Sequence, residues 1–110
     1  MSDKIFISKP NYIEEIFGTK KAVIGMIHLK PLPGAPHYQG EPMDEIYDFA
    51  MRDLYTLEKA GVHGIIVENA WDIPFSKPED IGYETVASMS VITERLKRQT
   101  DLKIGINCLA

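Results

Sequence analysis

The sequence predicts an α/β chain in which three short parallel strands are joined by two crossover helices. Apolar, β-branched runs recur at residues 22–28, 63–68 and 103–109. They are too short for stable amphipathic helices and suit buried strands. Between them lie two segments whose apolar residues recur at spacings of three and four, the period of a helix with one buried face. Crossovers of this length bring the chain back in the same direction, with right-handed connections.

Each element has its own local reason. Lys4 to Ser8 reads as a short lead-in strand or an extended arm. Asn11 is placed to cap a helical turn through Glu14, Glu15 and Phe17, which Gly18 stops. The first strand, Ala22 to His28, opens into a loop where Pro31, Pro33 and Pro36 forbid helix and central strand alike. Pro42 can begin a helix, and Asp44 and Glu45 then face the positive end of its dipole. Met43, Ile46, Tyr47, Ala50, Leu54 and Leu57 form its apolar stripe, and Gly61 is its stop. Phe49 and Tyr55 fall off that stripe and suggest a second contact surface. His63 to Glu68 is the second strand, and residues 69–80 form a loop holding Trp71, Pro74 and Pro78.

The second long helix is expected from Glu84 to Gln99. Thr85, Met89, Ile92 and Leu96 share a face, and Arg95, Lys97 and Arg98 favour its C-terminal end. Thr100 and Asp101 turn the chain into the third strand, Lys103 to Leu109. Each strand carries one glycine, Gly25, Gly64 and Gly105, which suggests crowding of the kind found in a closed barrel.

Composition narrows the function classes. The 110 residues carry a formal net charge of -4, with 45% apolar residues and a single cysteine. That is one domain at most. The acidic balance, with no basic block, argues against nucleic acid as a partner. One cysteine makes no internal disulfide and fits a reducing compartment. The N-terminus lacks a secretory signal, and no apolar run approaches membrane-spanning length. The expectation is a soluble cytoplasmic chain, with peripheral membrane association left open.

Four stretches are specific in content, order and spacing: VIGMIHLKPLPGAPHY (residues 23–38), GVHGIIVENAWDIPF (61–75), ETVASMSVI (84–92) and IGINCL (104–109). They resemble the BtpA/SgcQ family over nearly the whole chain, from about Lys20 to the last residue. The resemblance implies a TIM-barrel fold. It also implies the family's recorded role as a membrane-complex biogenesis factor, linked in photosynthetic members to photosystem I assembly or stability. Other members sit in proposed sugar-metabolism contexts, and no reaction is carried over. A (β/α)₈ barrel takes roughly 250 residues. The chain is therefore expected to be an incomplete TIM-barrel domain. Residues 1–20 would form an N-terminal arm and short helix, and residues 21–110 the first three strands in the order 1-2-3 with two crossover helices.

Side chains alternate along a strand. In the second strand Ile65 and Val67 would face the helices, and Gly64, Ile66 and Glu68 the barrel centre. In the third, Ile104 and Ile106 face outward, and Gly105 and Asn107 inward. The first strand allows either register. The one that turns His28 inward gathers His28, Glu68 and Asn107 at one rim, where α/β barrels bind their ligands. A histidine beside a carboxylate can move protons, or hold a metal with a third ligand. These three are the candidate catalytic residues, on a small sugar- or nucleoside-like metabolite, free or phosphorylated. Asn69, Asp72 and His37 are the candidate ligand-binding residues.

Each has a plainer reading: His28 as a satisfied core or loop histidine, Glu68 as a solvated or paired strand end, Asn69 as a turn former, Asp72 as an anchor of its own loop and His37 as a surface residue. His63 starts a strand and is read as structural. Cys108 is read as a buried, inert thiol. Walker, Rossmann, zinc-finger and EF-hand spacings are absent, so neither a cofactor nor a metal is assigned. The partners expected are a small-molecule ligand, or a membrane-protein complex at a membrane periphery, together with self-association of the short chain. The apolar third strand has no helix following it, so Ile104 and Ile106 would lack cover. The inward face, with Ile27 and Ile66, is expected to lie uncovered too.

Overall fold

The computed structural model describes residues 9–110, and the arm expected at Lys4 to Ser8 lies outside them. The elements follow in chain order as α1 (Tyr12–Phe17), β1 (Ile24–His28), α2 (Met43–Ala60), β2 (Gly64–Glu68), a 3-10 turn (Pro78–Asp80), α3 (Tyr83–Lys97) and β3 (Lys103–Asn107). The three strands form one parallel sheet in the order β1-β2-β3.

The ends of these elements are set by local chemistry. Asn11 Oδ1 accepts the Glu14 amide at 3.1 Å, and Gly18, at φ 73°, closes α1. Gly61, at φ 85°, closes α2 in the left-handed conformation that a residue with a Cβ resists. Val23 stands just before the ladder of β1. Its amide donates to His63 Nδ1 at 2.9 Å and its carbonyl accepts the His63 amide. His63 thus ties the starts of β1 and β2, the structural role its position suggested. Thr100 donates to Glu58 at 2.6 Å and accepts the Leu102 amide, which turns the chain from α3 into β3.

Helices α2 and α3 lie on one side of the sheet, while Phe17 of α1 reaches Gly64 on the other side, at the N-terminal ends of the strands. The core joins Ile27, Leu29 and Leu32 to Ile46, Ala50 and Leu54 of α2, Ile65 and Val67 of β2, and Met89, Ile92 and Leu96 of α3. Burying one such aliphatic side chain contributes about 1.5–3 kcal/mol, so the eleven buried here are the main hold on the fold. Two of them, Leu29 and Leu32, belong to the proline-rich loop. That loop is therefore pinned into the core at its start.

Several expectations are corrected. Ile27 is fully buried against the helices, not uncovered on the inward face. The register of β1 places Gly25, Ile27 and Leu29 on the helix side, and Met26 and His28 on the open side. Cys108 is exposed rather than buried, because it follows β3 at the uncovered edge of the sheet. Phe49 and Tyr55 do not form one surface. Six residues apart on a helix, they point about 120° from each other. Phe49 lies under the Lys30 ammonium and Tyr55 under that of Lys59.

The crowding at the strand glycines comes from helices. A side chain at Gly25 would strike Leu57, and one at Gly64 would strike Phe17 of α1. Gly105 has room. Ile106 is 53% exposed, as expected for a strand without a following helix, while Ile104 is partly buried against the core.

Candidate functional site

The parallel register sets the C-terminal ends of the strands level. His28 pairs with Glu68, and Glu68 with Asn107, across the ladder. All three side chains emerge on the side of the sheet opposite α2 and α3. Glu68 is the central member. Its Oε1 accepts from Asn107 Nδ2 at 3.1 Å, and its Oε2 lies 3.7 Å from His28 Nε2. The Glu68 side chain is 17% exposed and that of His28 47%.

This arrangement has a chemical sense. Asn107 orients the carboxyl group, so that one oxygen is occupied and the other is turned toward the imidazole. At 3.7 Å the His–Glu pair is just beyond direct hydrogen bonding, a separation that one water spans or that closes on binding. Asn107 Oδ1 is an acceptor available to a hydroxyl. A hydroxyl-bearing ligand lying across the row would meet an acceptor at each end and a group able to move a proton between them.

Asn69 and Asp72 form a second cluster, separate from this row. Asn69 is 1% exposed. Its Oδ1 accepts the Leu109 amide at 2.6 Å, and its Nδ2 donates to the Leu109 carbonyl at 3.1 Å and to Asp72 Oδ2 at 3.2 Å. Asp72 Oδ1 accepts the Leu32 amide at 2.8 Å. Four hydrogen bonds thus clasp the proline-rich loop, the loop after β2 and the segment after β3. The same two residues border a polar recess of about 80 Å³, with Gly34, Asp80, Gly82 and Glu84 on its other walls. His37 is exposed on the β1–α2 loop and borders neither cluster.

Sequence reasoning did not single out Glu84. Its carboxyl group fills the space over Gly34 and Gly82, where an added side chain would collide with it. The signal was present in part: an acidic residue in the first turn of α3, and Gly34 at a φ of 93°. Among the described residues, no three histidine, cysteine, aspartate or glutamate side chains are gathered so as to hold a metal ion. No helix of the described residues is long and apolar enough to cross a membrane.

Comparison with known proteins adds a family. The sequence model of the BtpA family matches residues 19–110. An uncharacterized protein of Pyrococcus furiosus is 45% identical over 91 residues, which is 83% of this chain and 34% of the relative. SgcQ of Escherichia coli K12, an sgc region protein by name, is 33% identical over 100 residues, covering 90% of this chain and 37% of that protein. The photosystem I biogenesis protein BtpA of Synechocystis is 36% identical over 95 residues, covering 86% and 32%. The chain therefore spans about a third of the length of the curated relatives it matches. No solved structure matches it significantly.

Proposed function

The chain belongs to the BtpA family, and on that premise we propose that it forms three consecutive strands of a TIM barrel whose C-terminal rim binds and turns over a small, hydroxyl-bearing metabolite. The observation that carries this reading is the level row His28–Glu68–Asn107 on the face of the sheet opposite α2 and α3, at the end away from α1. In a barrel that face is the interior, and its C-terminal end is where ligands bind. Three strands of eight is a little over a third, close to the 34% of the Pyrococcus furiosus relative that the chain matches. In the proposed chemistry Glu68, held by Asn107, takes a proton from a ligand hydroxyl, and His28 passes it on or polarises a neighbouring oxygen.

The test uses a chimera in which residues 20–110 replace the matched segment of the Pyrococcus furiosus relative. A thermal-shift screen of sugars, nucleosides and their phosphates should find stabilising ligands, since a ligand that binds only the folded state raises the midpoint. Glu68→Gln should abolish the shift without lowering the midpoint of the free protein. A shift that survives this substitution, or a screen with no ligand, sinks the site.

The cyanobacterial relative favours a second reading, a biogenesis or stabilisation factor for a membrane complex, because its name says photosystem I biogenesis. In that case the barrel is a scaffold, since fold alone does not imply catalysis. Co-purification of photosystem I subunits with the tagged chimera, undiminished by Glu68→Gln, would select it.

A further inference from the structure

The loop after β2 holds an aromatic side chain that the rim chemistry leaves unused. Trp71 is 53% exposed and is the single tryptophan of the chain. A large apolar ring left half in water forgoes burial, so its place calls for a reason. At Ile106 the reason is lack of a neighbour, because β3 is an edge strand. That reason does not apply to Trp71. Strand β2 is central, and both flanking segments are clasped to the turn: Leu32 of the β1 loop to Asp72, and Leu109 after β3 to Asn69.

The turn that carries the indole is firmly held. The Asp72 amide donates to the Asn69 carbonyl at 3.1 Å, which closes residues 69–72 into a turn with Trp71 inside it. Both corners of the turn, Asn69 and Asp72, are buried and hydrogen-bonded, while the ring between them is half exposed. Asn69, Asp72 and Phe75 border the polar recess on the Glu84 side, and Trp71 is not among its walls. From Glu68 to Trp71 the chain spans at most about 11 Å, and the turn shortens that path. A small ligand seated on the row His28–Glu68–Asn107 is therefore within reach of the indole.

We propose that Trp71 is the platform on which the rim ligand stacks, and that the ligand is a ring sugar. A pyranose would lay its flat C–H face on the indole while its hydroxyl edge meets Glu68 and Asn107. The proposal rests on the rim reading above and adds the substrate class to it. The negative face of an aromatic ring suits polarised C–H bonds. The row supplies acceptors, the Glu68 carboxylate and Asn107 Oδ1, which suit hydroxyls. A nucleobase fits less well, because its edge is read best by a side-chain amide with donor and acceptor both free. Asn107 already gives its Nδ2 to Glu68, and Asn69 is committed at both ends. An open-chain polyol has the hydroxyls but no rigid face, and ordering it on binding costs more.

The experiment titrates the chimera described above, by calorimetry, with the methyl pyranosides of glucose, galactose and mannose, and with sorbitol and adenosine as contrasts. At least one pyranoside should bind, and both contrasts should bind at least about tenfold more weakly, the equivalent of roughly 1.4 kcal/mol. Trp71→Ala should weaken the pyranoside at least about tenfold and bring it level with sorbitol, whereas Trp71→Phe, which keeps a smaller face, should lose only about threefold. Neither change should lower the unfolding midpoint of the free protein, since the side chain is exposed. The fluorescence difference between the parent and Trp71→Phe isolates this indole, and it should shift to the blue as the pyranoside saturates. A merely structural role for Trp71 would move the midpoint and leave the ratio of pyranoside to sorbitol affinity unchanged. A pyranoside that binds through Glu68 with undiminished affinity after Trp71→Ala, or sorbitol or adenosine binding as tightly, overturns the platform and leaves the rim site standing. Binding by none of the pyranosides overturns the sugar assignment, and the rim reading is then decided by the wider thermal-shift screen.

Discussion

Replacing Asp72 by alanine tests whether the loops at the strand ends are held by a polar clasp or merely by packing. Asp72 Oδ1 is the acceptor for the amide of Leu32, a residue with no exposed surface, and Asp72 Oδ2 accepts from the buried Asn69 amide group. Alanine removes both acceptors at once. Leaving one buried donor unsatisfied costs about 1–3 kcal/mol, and the second bond adds roughly 0.5–1.5 kcal/mol. The Asn69 Nδ2 group still reaches the Leu109 carbonyl, so the lower end of the second figure applies.

The expected loss is therefore about 1.5–3.5 kcal/mol, a large share of the roughly 5–15 kcal/mol that holds a domain together. With a urea dependence of about 1–3 kcal/mol per molar, the unfolding midpoint should fall by about 0.5–3.5 M. Asp72→Asn keeps an oxygen for Leu32 but opposes its own NH₂ to that of Asn69, so it should lose about half as much. Urea unfolding followed by circular dichroism gives the midpoints, and hydrogen exchange at the Leu32 amide reports the lost acceptor directly. A loss under about 0.5 kcal/mol, or a Leu32 amide that exchanges no faster, would refute the clasp.

Other outcomes follow from the surface and the open edges. The Arg98 guanidinium donates two hydrogen bonds to Glu94 and holds its carboxyl below the usual carboxylate range. A depressed folded-state value means that the pair stabilises the chain above the ordinary carboxylate range and ceases to as pH falls through the folded value. Glu94→Gln should remove that part of the pH dependence, and an NMR titration of Glu94 showing an ordinary midpoint would contradict it. The chain alone should self-associate, because among the described residues β1 and β3 each present a free edge and Ile106 is exposed. Light scattering that finds a monodisperse monomer, with strong near-ultraviolet dichroism from Trp71 and the tyrosines, would show that the sheet is self-sufficient.

Much of the fold could be read along the chain because its causes are local. Asn11 and Gly18 bound α1, Pro42 and Gly61 bound α2, and the spacing of Ile46, Ala50 and Leu54 names the buried face before any partner is known. Alternation in β2 and β3 likewise assigns Ile65 and Val67 to the helices and Glu68 and Asn107 to the other side. The level row with His28 then needs only that strands of equal length pair in register.

What the tertiary structure decided are relations between residues far apart in the chain. Asn69 and Asp72 reach partners forty positions away, Leu109 and Leu32, and a residue that can cap a turn looks the same in sequence as one that clasps three segments. The register of β1 was undecided locally because Gly25, Ile27 and Leu29 alternate with Ile24, Met26 and His28, and both sets begin with apolar or small residues. Packing against α2 chose the first set, which buries Ile27 and Leu29 and fits Leu57 over the bare Gly25. Cys108 shows the same limit from the other side: its apolar neighbours suggest burial, but burial needs a covering element, and none of the described residues lies over that edge. Secondary structure follows from torsions and periodicity within a few residues, whereas burial and hydrogen-bond partnership depend on what the folded chain brings alongside.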